Sequence, residues 1–231
     1  MSIAPPVAPE LLDRSSWKGS AKMSDAEVGV LCRLVLENPK VSAVLELGAL
    51  HGFSTVHLSR SLERAVRAGS VTTVDLFQKG AGRDDESLFD ANCSAHAAPG
   101  LIKKVRGHSG DAGVLARLSA SRFDLIFHDA EHRYEPVLRD ILNLEPLLSV
   151  GGFFVFHDYA DKEDGREWSL TEAVDEYFFE NPRYRFLSLT GSLICFQKLA
   201  AVSPARQRLL KLRRALRLGR ALRPARRMAF R

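Results

Sequence analysis

The chain has 231 residues, 45% of them hydrophobic, which suits one α/β domain with a sizeable core and leaves too little for a second full domain. Its formal charge of +5 hides an asymmetry: residues 204–231 hold 11 of the 33 Lys and Arg and no acidic residue, so the remainder has 22 basic against 28 acidic side chains. Cys32, Cys93 and Cys195 are scattered and indicate neither a disulfide framework nor a zinc site. No run approaches the roughly 18 apolar residues of a membrane span, and the start MSIAPPVAPELLDR has no leader pattern, so a cytoplasmic protein is expected.

Residues 1–22 read as a flexible N-terminal segment. A helix is expected over Asp25–Glu37 with Ser24 as its N-cap, followed by a buried strand over Ala43–Leu47. The strand runs into VLELGALHGFST, Val44 to Thr55, where Glu46 precedes Gly48 and Gly52, and Ser54 and Thr55 open a helix expected over Thr55–Ala68. Glycines there admit backbone conformations and close approach that a Cβ would block, and a helix N-terminus offers free N–H groups to an anionic ligand. The spacing G-x-x-x-G, in place of G-x-G-x-x-G, favours S-adenosylmethionine over a nicotinamide dinucleotide. A second strand, Val71–Leu76, carries Asp75 at its tip, where a carboxylate can accept both ribose hydroxyls of an adenosine. Lys79–Glu86 either covers that ligand or is a mobile loop.

A strand over Ile102–Arg106 leads into VRGHSGD, Val105 to Asp111, and a helix over Asp111–Leu118. The next strand, Phe123–His128, ends in FHDAEH, with Asp129 and, three residues on, His132. A helix over Glu135–Leu147 and a strand over Gly152–His157 follow, the latter driving into His157–Asp158. Reactive groups in open parallel sheets collect at the carboxyl ends of strands, and two neighbouring strands ending in His-Asp fit that rule. Alternation along the strand turns His128 to the side opposite Asp129 and gives it a structural role. The charged stretch YADKEDGREW reads as a lid or acceptor loop, with Tyr159, Arg166 and Trp168 as substrate contacts, or as a solvated loop. Strands Tyr184–Leu189 and Leu193–Gln197 are separated only by Thr190–Ser192, which permits a hairpin and no crossover helix. The expected fold is therefore a Rossmann-like, doubly wound seven-stranded α/β sheet, mostly parallel, with one antiparallel C-terminal strand. In the basic tail, residues 204–231, Leu209, Leu212, Ala215, Leu216 and Leu222 fall on one side of a helix opposite Arg206, Arg213, Arg217 and Arg220. It reads as a contact for an acidic surface or membrane, a solvated tail, or a helix docked on a sister subunit.

Between Met23 and Lys198 the chain resembles the class I S-adenosylmethionine-dependent methyltransferases, which places the methyltransferase domain at residues 23–200. The resemblance implies a cofactor set of Glu46, Gly48, Gly52, Ser54, Asp75, Ser109, Asp111 and Asp129, with Ser109 and Asp111 favoured over His108 at the adenine. The pattern D-x-x-H followed by His-Asp looks closest to the macrocin-type, metal-dependent sugar O-methyltransferases. That similarity implies Asp129 and Asp158 as ligands of Mg²⁺ or Mn²⁺ and His132 as general base. His157 stands where those relatives have Glu and is a third candidate ligand, a substrate contact or a packing residue. The expected substrate is a small molecule or saccharide, its hydroxyl on a sugar, oligosaccharide or glycosylated metabolite, with a catechol-like phenol as the alternative. A nicotinamide oxidoreductase and a polyanion- or membrane-binding module led by the tail are the rivals from other classes. A homodimer or higher homo-oligomer is implied, and HDAEH in place of an N-P-P-Y-like motif, with no basic aromatic surface, argues against N-methylation and nucleic acid.

Overall fold

A computed structural model of the chain describes residues 9–80, 82–163, 166–167 and 169–201, with backbone only at 80, 83, 162, 163, 166 and 167. The basic tail thus lies outside the described residues. Seven strands form one sheet: β1 Ala43–Leu47, β2 Ser70–Asp75, β3 Ile102–Arg106, β4 Phe123–His128, β5 Leu148–Phe156, β6 Tyr184–Thr190 and β7 Leu193–Lys198. Their spatial order is 3-2-1-4-5-7-6. The first five run parallel, while β7 lies antiparallel between β5 and β6, so the reversed C-terminal hairpin is where the short Thr190–Ser192 link requires it.

Helices α1 Asp25–Leu36, α2 Phe53–Arg64, α3 Asp85–His96, α4 Ala112–Ser119, α5 Tyr134–Leu144 and α6 Leu170–Val174 join and cover the strands. Central strands buried on both faces have to be apolar throughout, and successive residues feed opposite cores. Leu45, Leu47, Ile126, Phe154 and Phe156 pack with α4, α5 and α6 on one side. Val44, Leu125, Phe127, Phe153 and Val155 pack with α1 and α2 on the other. Each such fully buried side chain contributes about 1.5–3 kcal/mol against solvent exposure.

Hydrogen bonds one residue beyond the strands bring the site loops together. Gly48 N–H donates to Val74 C=O, Gly107 to Asp75, Asp129 to Leu47 and His157 to His128, at 2.8–3.1 Å. Four turns are thereby aligned along one edge of the sheet. Within 79–86, read as a cover or a mobile loop, Lys79–Gly80 pairs with Arg83–Asp84 and Asp85 opens helix α3, which was not expected. Asp84 caps it by accepting from Ser87 N, but its buried residues are only Asp85, Phe89 and Asn92, too few to print an apolar period. Strand β5 begins at Leu148, earlier than expected, but its register against β4 slips between Leu148 and Phe153, where Gly151 has φ +88°, so regular pairing starts next to the expected Gly152.

Residues 9–22, expected to be flexible, are fastened across α2 and α3. Leu12 N–H donates to His57 Nε2, Ser20 N–H to His51 Nδ1, and Lys18 exchanges two bonds with Asn92. Trp17 stands edge-on to Phe53 at 5.0 Å. Among the described residues no helix is long and apolar enough to cross a membrane.

Candidate active site

The aligned turns border a cleft of about 480 Å³ lined by Gly48, Ala49 and Leu50 from the first loop and Ser54 from the start of α2, Asp75 at the end of β2 and Gln78 after it, and Gly107, His108 and Ser109 after β3. Asp129 to His132, His157 and Asp158 complete that edge, and Ser20, Lys22 and Met23 of the N-terminal segment close one side. Gly48 has φ +82°, and a Cβ there would lie 2.2 Å from the carbonyl oxygen of Asp129, so the loop lies directly against the end of β4.

Asp75 holds this loop. Its Oδ2 accepts from Ala49 N and Leu50 N at 2.8 and 2.9 Å, and its Oδ1 from Phe77 N at 2.7 Å. A carboxylate has about four acceptor positions. One therefore remains for a ligand hydroxyl, and Asp75 faces the cleft.

Glu46 is not a wall of the cleft. It is fully buried beneath the loop, where its carboxyl oxygens accept from Ser54 Oγ and Thr55 Oγ1, bracing the start of α2 against β1. Burial pushes its carboxyl up to about 7 against the hydrogen bonds of Ser54 and Thr55. The folded value exceeds the ordinary 4.5, so folding holds this proton more tightly. The stability this confers is complete below about pH 4.5 and is lost as pH rises through about 7. Glu46→Gln, which cannot ionise, should gain on the wild type by up to about 3 kcal/mol between roughly pH 5 and pH 8. Urea unfolding at both pH values reads this difference; one independent of pH would show that the carboxyl ionises normally.

Two further cofactor candidates turn away. Gly52 is the N-cap of α2 at φ +84°, and a Cβ there would meet Phe89 and Cys93 behind the loop. Asp111 accepts from His108 N at 3.0 Å and caps its own turn, whereas His108, ranked lower from sequence, lines the cleft. Ser109 also lines it, its hydroxyl donating to Asp140 at 2.6 Å. His128 is buried on the opposite side, 3.4 Å from the same Asp140 oxygen, as alternation requires.

At the other end of the cleft Asp129, His132 and Asp158 each offer one ligand atom within 4.8 Å of the others. Two hard carboxylate oxygens and an imidazole fit a divalent cation such as Mn²⁺ or Mg²⁺. His132 Nε2 lies 2.7 Å from Asp158 Oδ2. His157 does not join this set. Its Nδ1 lies 3.2 Å from both Asp129 Oδ1 and Asp158 Oδ1, and its Nε2 lies 3.6 Å from Glu27 Oε2. Burial opposes a charge on this ring, but hydrogen bonds to Asp129 and Asp158 outweigh burial and lift it to about 11. The ring thus stands between the Asp129 and Asp158 carboxylates on one side and Glu27 on the other, placed to brace them. Burial raises the Asp129 carboxyl against the pull of His157. At Asp158 burial is outweighed by His132 and His157, which hold it below the carboxylate range. Asp158 also sits at φ +58°, a conformation costly for a residue with a Cβ and found where surrounding contacts impose it.

The substrate-side candidates fare differently. Tyr159 does not line the cleft; its hydroxyl donates to Asp175 at 2.8 Å. Arg166 lies in a two-residue strand paired with Lys162–Glu163, its side chain not described, and Trp168 lies outside the described residues. Sequence reasoning missed Lys22, Met23 and Gln78, which line the cleft from segments without periodicity, while Asp85 lies within the 79–86 segment read as a ligand cover or a mobile loop.

Residues 45–159 match the family model described as a methyltransferase domain. No curated protein matches the sequence. Among solved structures, cofactor-bound Rv0187 from MTB is 21% identical over 80% of this chain and 84% of its own, with a TM-score of 0.62. The O-methyltransferase NovP is 20% identical over 75% of this chain and 79% of its own, TM-score 0.53. CalS11, a TDP-rhamnose 3'-O-methyltransferase of calicheamicin biosynthesis, is 17% identical over 74% and 76%, TM-score 0.54. At such identities the likeness is one of fold, the Rossmann-like methyltransferase fold, and the matched domain covers the loops that build the cleft.

Proposed function

From a methyltransferase domain in the methyltransferase fold, we propose that the protein is an S-adenosylmethionine-dependent O-methyltransferase acting on a hydroxyl of a sugar, oligosaccharide or glycosylated metabolite with the help of a divalent metal. The observation that carries this reading is the meeting of Asp129, His132 and Asp158 at one end of a cleft whose other end is the Gly48 loop and Asp75. CalS11 acts on TDP-rhamnose and a putative caffeoyl-CoA O-methyltransferase from Staphylococcus aureus shares the same fold, so turnover on a sugar panel against a catechol panel decides between the saccharide and the catechol-like acceptor.

S-adenosylmethionine supplies a methyl group on a sulfonium, which departs as a neutral thioether, and a divalent metal supplies positive charge for a forming alkoxide. The rest falls to side chains. The Gly48 loop and Ser54 receive the methionine end, Asp75 takes a ribose hydroxyl at its remaining acceptor position, and His108 and Ser109 border the adenine. Asp129 and Asp158 hold the metal. An aliphatic hydroxyl must lose its proton as its oxygen bonds to the methyl carbon, and His132, oriented by Asp158 at 2.7 Å, takes that proton. One observation favours a second role: His132 belongs to the set within 4.8 Å, so it can serve as third metal ligand.

Calorimetric titration with S-adenosylhomocysteine tests the reading. One-site binding is expected, weakened at least 10-fold in Asp75→Ala, where three loop N–H groups lose their acceptor. Turnover on a sugar panel should vanish in EDTA and return with Mg²⁺. No binding near 1 mM ligand, where about −4 kcal/mol still registers, rejects the cofactor, and full turnover in EDTA rejects the metal.

A further inference from the structure

Glu27 lies on α1, remote in sequence from every strand end, yet it is 5% exposed, and its carboxylate faces His157 on one flank of Asp158 and is linked through Ser192 to Tyr159 on the other. Oε2 accepts from Ser24 N and Ser24 Oγ, both at 2.8 Å, which completes the cap of α1. Oε1 accepts from Ser192 N at 2.8 Å and Ser192 Oγ at 3.0 Å in the β6–β7 turn. Ser192 C=O in turn accepts from Tyr159 N at 2.9 Å, immediately after Asp158. On the other flank, Glu27 Oε2 lies 3.6 Å from His157 Nε2, and the opposite ring nitrogen reaches Asp129 and Asp158 at 3.2 Å.

A helix cap needs only the Ser24 contacts. The remaining ones tie a buried carboxylate to the backbone after Asp158 and to the imidazole before it. The turn between them holds Asp158 at φ +58°, a conformation that neighbouring contacts must enforce. We infer that Glu27 is a positioning residue: through Ser192 and His157 it fixes the turn that presents Asp158, and with it Asp129, to the metal. The inference rests on the metal reading proposed above. Partners behind a metal's direct ligands orient them, and their loss costs typically 10- to 100-fold in metal affinity.

The test compares wild type, Glu27→Gln and Ser24→Ala, the last of which removes a capping hydroxyl but leaves the Glu27 carboxylate and both Ser192 bonds. Each is titrated with Mn²⁺ and with S-adenosylhomocysteine, and the ring resonances of His157 are recorded by NMR without metal. The expected result is that Glu27→Gln binds Mn²⁺ 10- to 100-fold more weakly and shifts the His157 resonances. Ser24→Ala should keep both, and all three should bind S-adenosylhomocysteine within about twofold. Wild-type Mn²⁺ affinity and unmoved resonances in Glu27→Gln overturn the inference, as do equal losses in Ser24→Ala, which would reduce Glu27 to a cap. If wild type binds no Mn²⁺, the metal reading fails, and the resonances alone decide on Glu27. Should Glu27→Gln not fold, Glu27→Asp, which keeps the charge but draws the carboxylate back by one methylene from Ser192 and His157, takes its place: shifted His157 resonances support the inference and unmoved ones overturn it.

Discussion

Gly48→Ala should lose at least 100-fold in S-adenosylhomocysteine affinity and about 3 kcal/mol or more in stability. The added carbon would stand 2.2 Å from the Asp129 carbonyl oxygen and 2.7 Å from Ala130 Cα, both backbone atoms that no rotamer change can withdraw. The position also has φ +82°, where a Cβ is itself strained by roughly 1 kcal/mol. Relief requires the loop and the end of β4 to separate, which opens the cleft between the cofactor loop and Asp129. A 100-fold loss corresponds to about 2.8 kcal/mol, within reach of such a displacement. Gly100→Ala is the control: φ is +73° but nothing lies within 4 Å, so it should show the conformational strain alone and bind the ligand normally. Equal behaviour of the two variants in calorimetry would show that the loop does not bear on the site.

His132→Ala should retain S-adenosylhomocysteine binding and lose turnover by roughly 100-fold or more, the scale of a general base. The Mn²⁺ titration of the same variant separates the two roles open to this ring. Affinity kept within a few-fold of wild type assigns proton transfer, with Asp158, 2.7 Å away, as the group that orients the imidazole. Affinity lost together with turnover assigns ligation beside Asp129 and Asp158. Turnover equal to wild type would remove His132 from the chemistry altogether.

The strands were legible because a sheet buried on both faces must be written in continuous apolar residues, and the C-terminal reversal because three residues cannot carry a crossover. The strand-end positions followed from that, so Gly48, Asp75, Asp129, His132 and Asp158 were read at the cleft before any geometry. What sequence does not print is which way a side chain turns at a loop. Glu46 and Asp111 are acidic residues beside the cleft that bond to their own turns instead. His157 reads as a candidate ligand from its place in the strand; its setting between Asp129 and Asp158 on one side and Glu27 on the other comes only from the fold. Helix α3 and the N-terminal segment escaped because they are held by isolated polar bonds, at Asn92, His51 and His57, rather than by an apolar stripe. Glu27 reads as an ordinary capping glutamate, since its second set of partners is 165 residues away.

The three backbone N–H groups gathered by Asp75 have a consequence for recognition. A glycine-bearing loop left free would have to be immobilised by its ligand, and the ordering entropy, on the order of 1–2 kcal/mol per residue, would be subtracted from affinity. Here residues 49, 50 and 77 are ordered by folding itself. On the proposed reading, the carboxylate that organises the loop is also the group with a position left for the ribose, so a nucleoside would meet a preorganised receptor, the conformational cost of its capture being met by the stability of the sheet.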